Sequence, residues 1–257
     1  MKSMRYRNRV IVGVMVVGWM AGAVAARGPA TQEAAGTYMG REIAQTMHYT
    51  GAEWLTRESR EREEDCATML KALAVKKGDV VCDLGCGNGF YSLKLAEMVG
   101  EEGKVIAVDI QPEMLEMVRE RAAKAGVKNV QTVLAGEDDP KVEEGSCDLV
   151  LMVDVYHELS KPAEVLEHVR KSLKKGGRVA LVEFRGEDPE VPIKPLHKMS
   201  KEQIRKEWGA NGFVVVEEFD RLPWQHLMFF EVEEKEHGRD AHATTPGQPA
   251  TTRAVGE

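Results

Sequence analysis

The chain has 257 residues, of which 43% are hydrophobic and 30% are charged, a balance typical of a soluble globular protein with a substantial core. This length fits one sizeable domain with appendages, or two small domains. The formal net charge is −7, so the strongly basic composition of most nucleic-acid-binding proteins is absent and no nucleic-acid partner is predicted.

Residues 1–26 are predicted to be a signal peptide or a membrane anchor. The segment opens with four basic residues, Lys2, Arg5, Arg7 and Arg9. An uncharged apolar run at 10–24 follows, and Ala23-Val24-Ala25 offers the small-x-small pattern of a cleavage site. The run is shorter than the ~20 apolar residues that cross a membrane, which favours cleavage over anchoring. Contact with a membrane is predicted only through this segment.

The rest of the chain divides by composition into three parts. Residues 27–40 are rich in Ala, Gly and Thr and are predicted to be a linker. A single domain is placed at residues 41–235. Residues 236–257 offer nothing to bury in a core and are predicted to be a disordered tail.

The start of the domain, residues 41–73, has a charged helical pattern. Gly51 and Ser59 are expected to divide it into two helices. Two interpretations of residues 41–60 stay open, a cap over a binding site and, more plainly from the charge, a solvated face.

From residue 80 onward strand and helix patterns alternate. Strand-like apolar runs occur at 80–84, 104–109, 130–135, 147–153 and 178–184, and helical patterns at 91–99, 112–125 and 161–174. Such alternation predicts βαβ units and a parallel sheet. A further helix at 201–210 leads into runs at 213–219 and 227–232, which a short loop joins, so these are expected to form an antiparallel pair at the sheet edge.

Four cysteines, Cys66, Cys82, Cys86 and Cys147, are predicted to be buried free thiols. Their spacing matches no dense disulfide scaffold. Cys82 and Cys86 have metal-like spacing but no accompanying His or Cys cluster. No metal site is therefore predicted.

The segment from Val80 to Tyr91 carries the most informative motif. A strand with Asp83 near its end runs into glycines at 85, 87 and 89, and a helix follows. Glycines let the backbone turn sharply and approach a ligand closely, and the helix N-terminus favours polar or anionic groups. The next strand ends in Asp109, where a carboxylate can bind the hydroxyls of a ribose.

These motifs resemble those of the class I S-adenosylmethionine-dependent methyltransferases, particularly the ubiquinone-biosynthesis (type 11-like) branch. The resemblance covers residues 80–153 by motif and 161–232 by the order of elements. It implies an α/β fold, a Rossmann-like seven-stranded sheet that ends in an antiparallel β-hairpin. It also implies S-adenosylmethionine as the cofactor. A dinucleotide oxidoreductase is disfavoured, because its fingerprint is G-x-G-x-x-G and this loop is G-x-G-x-G.

The resemblance also assigns cofactor-binding residues. Those expected under the methionine part are Asp83, Gly85, Cys86, Gly87 and Gly89. Asp109 is expected to hold the ribose and Ile110 to pack on the adenine. The acidic residue that family members often place near the adenine amino group is replaced by Ala135, so Glu137 or Asp138 is expected to substitute, with Glu137 as our choice.

The acceptor is expected near the end of the fourth strand, at Asp154-Val155-Tyr156-His157-Glu158. Ligands in open α/β sheets bind at the carboxyl ends of the strands, and histidine titrates near physiological pH. His157 is therefore the main candidate for a general base or a positioning group, with Tyr156 and Asp154 as further catalytic candidates. A purely structural role for His157, such as capping a helix, is the alternative.

Two loops are further candidates for substrate contact. The Pro-rich residues 188–199 are predicted to form a lid over the cofactor face. His197 within it either contacts substrate or is solvated. Trp224-Gln225-His226 either contributes to the site or simply wraps the sheet edge.

The predicted function is methyl transfer from S-adenosylmethionine to a small-molecule acceptor. A protein or RNA methyltransferase is the alternative within the class, and a non-catalytic S-adenosylmethionine-binding sensor is the alternative outside it. The N-terminal segment predicts an exported (periplasmic) or membrane-anchored protein. A cytoplasmic location stays open because the cofactor is made there.

Overall fold

The computed structural model describes residues 36–234. The predicted leader at 1–26, most of the predicted linker and the tail at 236–257 lie outside this range. Within residues 36–234, no helix combines the length and the apolar character needed to cross a membrane.

The N-terminal region is a series of short elements. Strands β1 (Thr37–Tyr38) and β2 (Arg41–Glu42) form a small hairpin, so the end of the predicted linker has regular structure. A 3₁₀ helix, Tyr49–Thr56, precedes helices α1 (Arg60–Glu64) and α2 (Cys66–Ala72).

The expected division of this region into two helices is correct only at Ser59. Ser59 precedes α1, but Gly51 lies inside the 3₁₀ helix. A further break occurs at Asp65, whose φ of 50° ends α1 and whose carboxylate accepts a hydrogen bond from the Thr68 amide to begin α2. Asp tolerates this left-handed conformation better than most residues do.

The main sheet has seven strands in the order β5-β4-β3-β6-β7-β9-β8. Their bounds are β3 Val80–Leu84, β4 Lys104–Asp109, β5 Val130–Leu134, β6 Cys147–Val153, β7 Leu173–Phe184, β8 Phe213–Phe219 and β9 Gln225–Val232. Strands β3 to β7 are parallel, whereas β9 runs antiparallel to both β7 and β8. The predicted α/β fold and its terminal hairpin are confirmed.

Four longer helices connect the strands: α3 (Phe90–Val99), α4 (Pro112–Ala125), α5 (Pro162–Ser172) and α6 (Lys201–Ala210). Helix α4 begins with Pro at its first position and ends at Gly126 in the left-handed conformation, the usual placement of these two residues. Ser200 caps α6 by accepting a hydrogen bond from the Gln203 amide.

Two hydrophobic clusters cover the two faces of the sheet. Helices α2 and α3 pack on one face through residues such as Met69 and Leu95, and α5 and α6 pack on the other through residues such as Leu166 and Trp208. Consecutive strand residues point to opposite faces, which is why both faces of the central strands are apolar. All four cysteines are buried and free, as predicted.

One predicted element boundary is wrong. The helix expected to extend to residue 174 ends at Ser172, and β7 begins at Leu173 instead of 178. Leu173 pairs with Cys147 across a register irregularity and packs into the core. Tertiary pairing therefore overrides the helical pattern of the preceding residues.

Strand β3 is the point at which the strand order reverses. The chain proceeds from β3 to β4 and β5 on one side, and then from β6 to β7 on the other. A crevice at the carboxyl ends of the strands is the usual ligand position in such a sheet.

Candidate active site

A cavity of about 530 Å³ opens at the carboxyl ends of the parallel strands. Each of the parallel strands β3 to β7 brings residues to its wall from its end or from the loop that follows: Leu84 and Gly85, Asp109 and Ile110, Ala135 and Glu137, Val153 to Val155, and Phe184. Its volume lies in the range of small-molecule and cofactor sites, about 300–1,000 Å³.

Two glycines of the loop, Gly85 and Gly87, lie close to side chains of other segments. Gly85 has φ of 74°, and a Cβ there would lie 2.3 Å from Val155 Cγ2. Gly87 has φ of 52°, and a Cβ there would lie 2.5 Å from Leu55 Cδ1. Both conformation and space therefore require glycine at these two cavity-lining positions.

Asp109 is fixed at the cavity wall by two backbone amides. Its Oδ2 accepts a hydrogen bond from Gly87 N at 3.0 Å, and its Oδ1 accepts one from Gln111 N at 2.9 Å. Burial raises the pKa of Asp109, while these donors oppose the shift. A carboxylate has about four lone-pair sites, so each oxygen keeps capacity to accept a ligand hydroxyl.

The predicted adenine-side residues also line the cavity. Ile110 is 44% exposed, unusually open for a large apolar side chain. Glu137 lies on the wall with Gly136 and Pro140. Asp138 instead forms an ion pair with Lys161, at 3.3 Å.

Three predicted cofactor residues do not line the cavity. Asp83 is 3% exposed and accepts a 2.5 Å hydrogen bond from Ser92 Oγ, and burial raises its pKa to about 6. Cys86 packs into a small core cluster with Val118. Gly89, with φ of 79°, also lies close to Val118. The structure therefore gives all three a supporting position: Asp83 in β3, and Cys86 and Gly89 within the loop on the side that packs against α4.

His157 also lines the cavity, in a cluster with Glu158 and His197. Its Nδ1 is 2.6 Å from Glu183 Oε2, and its backbone amide donates to Glu183 Oε1 at 3.2 Å. Its Nε2 lies 3.1 Å from His197 Nδ1 and 3.8 Å from Glu158 Oε1. His197 Nδ1 is in turn 3.7 Å from Glu158 Oε1.

Charge and burial shift the pKa of each member of this cluster. Burial opposes the charged form of His157, but the Glu183 carboxylate outweighs it and the pKa of His157 is raised. Burial raises the pKa of Glu158 to about 7. Burial, His157 and Lys194 lower the pKa of His197. Titratable groups perturbed by burial and by one another are common at functional sites.

The other two catalytic candidates have different surroundings. Asp154 lines the cavity with φ of 51°, and its Oδ2 accepts from Gln225 Nε2 at 2.7 Å. Its Oδ1 is buried without a partner, and burial, Glu64 and Glu183 raise its pKa.

Tyr156 lies away from the cavity. It is fully buried in the core, and its hydroxyl donates to Glu207 Oε2 at 2.8 Å. Tyr156 and His157 are adjacent in a short 3₁₀ helix that follows β6. The sequence alone could therefore not tell which of the two side chains faces the cavity.

Residues of the N-terminal segment line the cavity, as the cap interpretation expects. Glu42, Glu53 and Glu58 of the same segment are exposed, as the solvated-face interpretation expects. Arg60 is 5% exposed and Glu64 is 1% exposed, and both line the cavity. Glu64 accepts from Arg60 at 2.8 Å and from Arg57 at 2.6 Å. The Leu55 carbonyl accepts a hydrogen bond from Arg60, and the Leu55 side chain packs against Gly87.

The predicted lid also reaches the cavity. Four of its residues line the wall: Pro192, Ile193, Lys194 and His197. Trp224, Gln225 and His226 do not line it. Gln225 supports Asp154, and His226 is 2.7 Å from Glu187.

Comparison with known proteins establishes the family. The model of a methyltransferase domain family matches residues 75–228, more than half of the chain. The chain belongs to this family, and its fold is that of the class I S-adenosylmethionine-dependent methyltransferases, which confirms the resemblance seen in the sequence.

Relatives and solved structures agree with this assignment. An arsenite methyltransferase of Halobacterium salinarum is 34% identical over 116 residues, 45% of this chain and 30% of that protein. A ubiquinone/menaquinone biosynthesis C-methyltransferase of Francisella philomiragia subsp. philomiragia is 33% identical over 145 residues, 56% of each. The chain thus spans about half or less of the length of these relatives. A SAM dependent methyltransferase from Aquifex aeolicus has a TM-score of 0.68 at 28% identity, covering 72% of this chain and 98% of that one.

Proposed function

We propose that this protein transfers a methyl group from S-adenosylmethionine to a small-molecule acceptor in the cavity at the carboxyl ends of the strands. One observation carries the proposal. A single cavity joins Asp109, held by the glycine loop, to the cluster of His157, Glu158 and His197. A cofactor site and an acceptor site thereby face the same space.

The residues on the first wall fit the cofactor. Asp109 presents two oriented oxygens to the ribose hydroxyls, and Ile110 offers an exposed apolar surface to the adenine. Glu137 also lines the cavity, and we assign it to accept from the adenine amino group. S-adenosylmethionine supplies an electrophilic methyl group on a sulfonium. Asp83, Cys86 and Gly89 contribute by fixing the loop through contacts with Ser92 and Val118.

The second wall suits the acceptor. A carboxylate can only accept hydrogen bonds, so the proton between His157 and Glu183 lies on Nδ1 and the Nε2 atom is directed at the cluster. Nε2 can position an acceptor or take the proton that its nucleophilic atom loses on methylation. Residues of the N-terminal helices and of the segment 192–197 line this part of the cavity, which favours an acceptor of small size.

The relatives also favour a small acceptor. One of them is an arsenite methyltransferase, and another is a C-methyltransferase of ubiquinone/menaquinone biosynthesis. A protein or RNA acceptor would need an open surface beside the methyl group, whereas two segments cover this cavity.

Turnover tests the proposal. The full chain is incubated with S-adenosylmethionine and a mixture of quinols, catechols, thiols and arsenite, and S-adenosylhomocysteine is quantified by mass spectrometry. We expect acceptor-dependent product. His157→Ala should lower kcat by about 10²–10⁴-fold and leave S-adenosylhomocysteine affinity intact, whereas His168→Ala, on the exposed surface of α5, should change neither. Cofactor binding without turnover in any acceptor mixture would favour a sensor.

For localisation, we propose that residues 1–26 export the protein or anchor it to a membrane. The basic start, the apolar run and the Ala-Val-Ala site support this. Cell fractionation of the full chain and of a chain that begins at residue 27 tests it, and an identical cytoplasmic distribution of the two would contradict it.

A further inference from the structure

The acceptor end of the cavity brings three metal-ligating atoms together. These are His157 Nε2, His197 Nδ1 and Glu158 Oε1, and they belong to the one group of this kind found among residues 36–234. The distances between them are 3.1, 3.7 and 3.8 Å. The two histidines are 40 positions apart in the sequence, so no short spacing motif predicts the group.

The triangle has the size of a first coordination shell. A point equidistant from corners separated by 3.1, 3.7 and 3.8 Å lies about 2.1 Å from each, which matches Zn–N and Zn–O bonds of about 2.0–2.2 Å. Two histidines and a carboxylate with open positions also form the ligand set of catalytic zinc and of non-haem iron sites.

The surroundings orient each ligand. Glu183 is fully buried and holds His157 Nδ1 at 2.6 Å, the carboxylate–histidine arrangement that fixes metal-binding imidazoles. Glu158 receives the Met47 amide on Oε2 at 3.3 Å, which leaves Oε1 for the cluster. The His197 amide donates to the Lys194 carbonyl at 2.9 Å and fixes the turn that carries the ring.

The local charge favours a cation. Asp154, Glu158 and Glu183 lie on or beside this wall. Arg60, the one arginine among the described residues that line the cavity, is engaged by Glu64. Arg41, which donates to the His157 carbonyl at 3.1 Å, is engaged by Glu207. Lys194 is the opposing charge on the lid.

We propose that His157, Glu158 and His197 bind one divalent transition-metal cation of the Zn²⁺ class, with at least one coordination position open to the cavity. The binding of the ion is independent of the proposed methyl transfer. Its role rests on that function: with the ion bound, His157 acts as a ligand and not as the base, and the open position binds an acceptor hydroxyl or thiol, whose proton the ion makes acidic enough to pass to solvent. This selects acceptors that carry a hydroxyl or a thiol.

Metal binding is measured by equilibrium dialysis of the full chain against ZnCl₂ and elemental analysis by mass spectrometry. The reference protein carries His237→Ala and His242→Ala, because these histidines lie outside the described residues and could bind zinc by themselves. His197→Ala and Glu158→Gln remove ligands, Glu183→Gln removes the outer carboxylate, and His168→Ala is the matched control. Melting temperature and S-adenosylhomocysteine affinity are recorded for every variant.

We expect one Zn²⁺ per chain in the reference protein and in His168→Ala. Glu183→Gln should weaken binding about 10–100-fold, and His197→Ala and Glu158→Gln should weaken it more, with S-adenosylhomocysteine affinity retained. Absence of stoichiometric zinc in the folded reference protein, or zinc binding that survives both His197→Ala and Glu158→Gln, overturns the proposal. Since neither cofactor nor acceptor is present in the dialysis, failure of methyl transfer does not affect this result.

Discussion

The backbone amide of Gly87 donates a hydrogen bond to Asp109 Oδ2 over 3.0 Å. This bond ties the loop after β3 to the end of β4, so the glycine loop and the ribose-binding candidate form one unit. A substitution of either Gly87 or Asp109 should therefore weaken cofactor binding.

Gly87→Ala should weaken S-adenosylhomocysteine binding at least 10-fold. Its φ of 52° already disfavours Ala, and the new Cβ would lie 2.5 Å from Leu55 Cδ1, which displaces the segment that covers the cavity. Gly145→Ala is the matched control, because Gly145 has φ of 63° with open space around it. Both variants should lose about 1–2 kcal/mol of stability from the left-handed conformation, but the control should keep full affinity. Equal affinities by calorimetry would contradict the role of Gly87.

Tyr156→Phe should reduce stability and leave turnover unchanged. The variant removes a hydroxyl that donates to Glu207 in the core at 2.8 Å and lies away from the cavity. A buried acceptor that loses its partner costs about 1–3 kcal/mol. Chemical denaturation and methyl-transfer kinetics check the two halves of the prediction. A large fall in kcat at unchanged stability would contradict this prediction and show that Tyr156 takes part in catalysis.

Asp83→Asn should change how stability depends on pH. Burial raises the pKa of Asp83 to about 6, above the ordinary value of about 3.9. The folded state therefore binds the Asp83 proton more tightly than the unfolded state does. The stability gained from this proton is fully present below about pH 4 and is lost as the pH rises through 6. The loss is at most about 3 kcal/mol.

Unfolding free energies of the wild type and Asp83→Asn, measured from pH 4 to 7, test this. Asn cannot ionise and can still accept a hydrogen bond from Ser92. The free energy of unfolding of the variant should therefore rise relative to that of the wild type as the pH increases. A difference in stability that stays constant with pH would show that Asp83 titrates normally.

Arg60→Ala should destabilise the protein by about 1.5–3 kcal/mol, because the buried Glu64 carboxylate loses one of its two charged hydrogen bonds and keeps only the one from Arg57. Arg119→Ala breaks an ion pair whose side chains are 49% and 60% exposed, and it should cost at most about 1 kcal/mol. Similar losses in the two variants would mean that the Arg60 network contributes no more than a surface pair.

The sequence predicted those features that local pattern determines. The apolar runs gave every strand of the main sheet, and the glycine spacing with Asp109 gave the cofactor wall. These signals lie within a few residues of one another, and the physical requirement behind each one, such as a positive φ at Gly87, is local.

The features that the sequence missed depend on distant partners. Arg60 and Glu64 lie in a run of charges that is typical of a solvated helix, but both are buried, and the Arg60 guanidinium lies over the rings of Phe90 and Tyr91. Glu183 meets His157 across two strand ends, 26 positions away along the chain. No periodicity connects such residues, so their contact follows from the strand order alone.

Calorimetric titration of S-adenosylhomocysteine into the wild type and Asp109→Ala tests the central claim most directly. Asp148→Ala is the control, since Asp148 also accepts a backbone amide, from Val80 at 2.8 Å, but away from the cavity. A charged hydrogen bond is worth about 1.5–3 kcal/mol, so we predict binding by the wild type and by Asp148→Ala and a loss of about 10–100-fold in Asp109→Ala. Absence of binding to the folded wild type, or equal affinity in Asp109→Ala, would contradict the account.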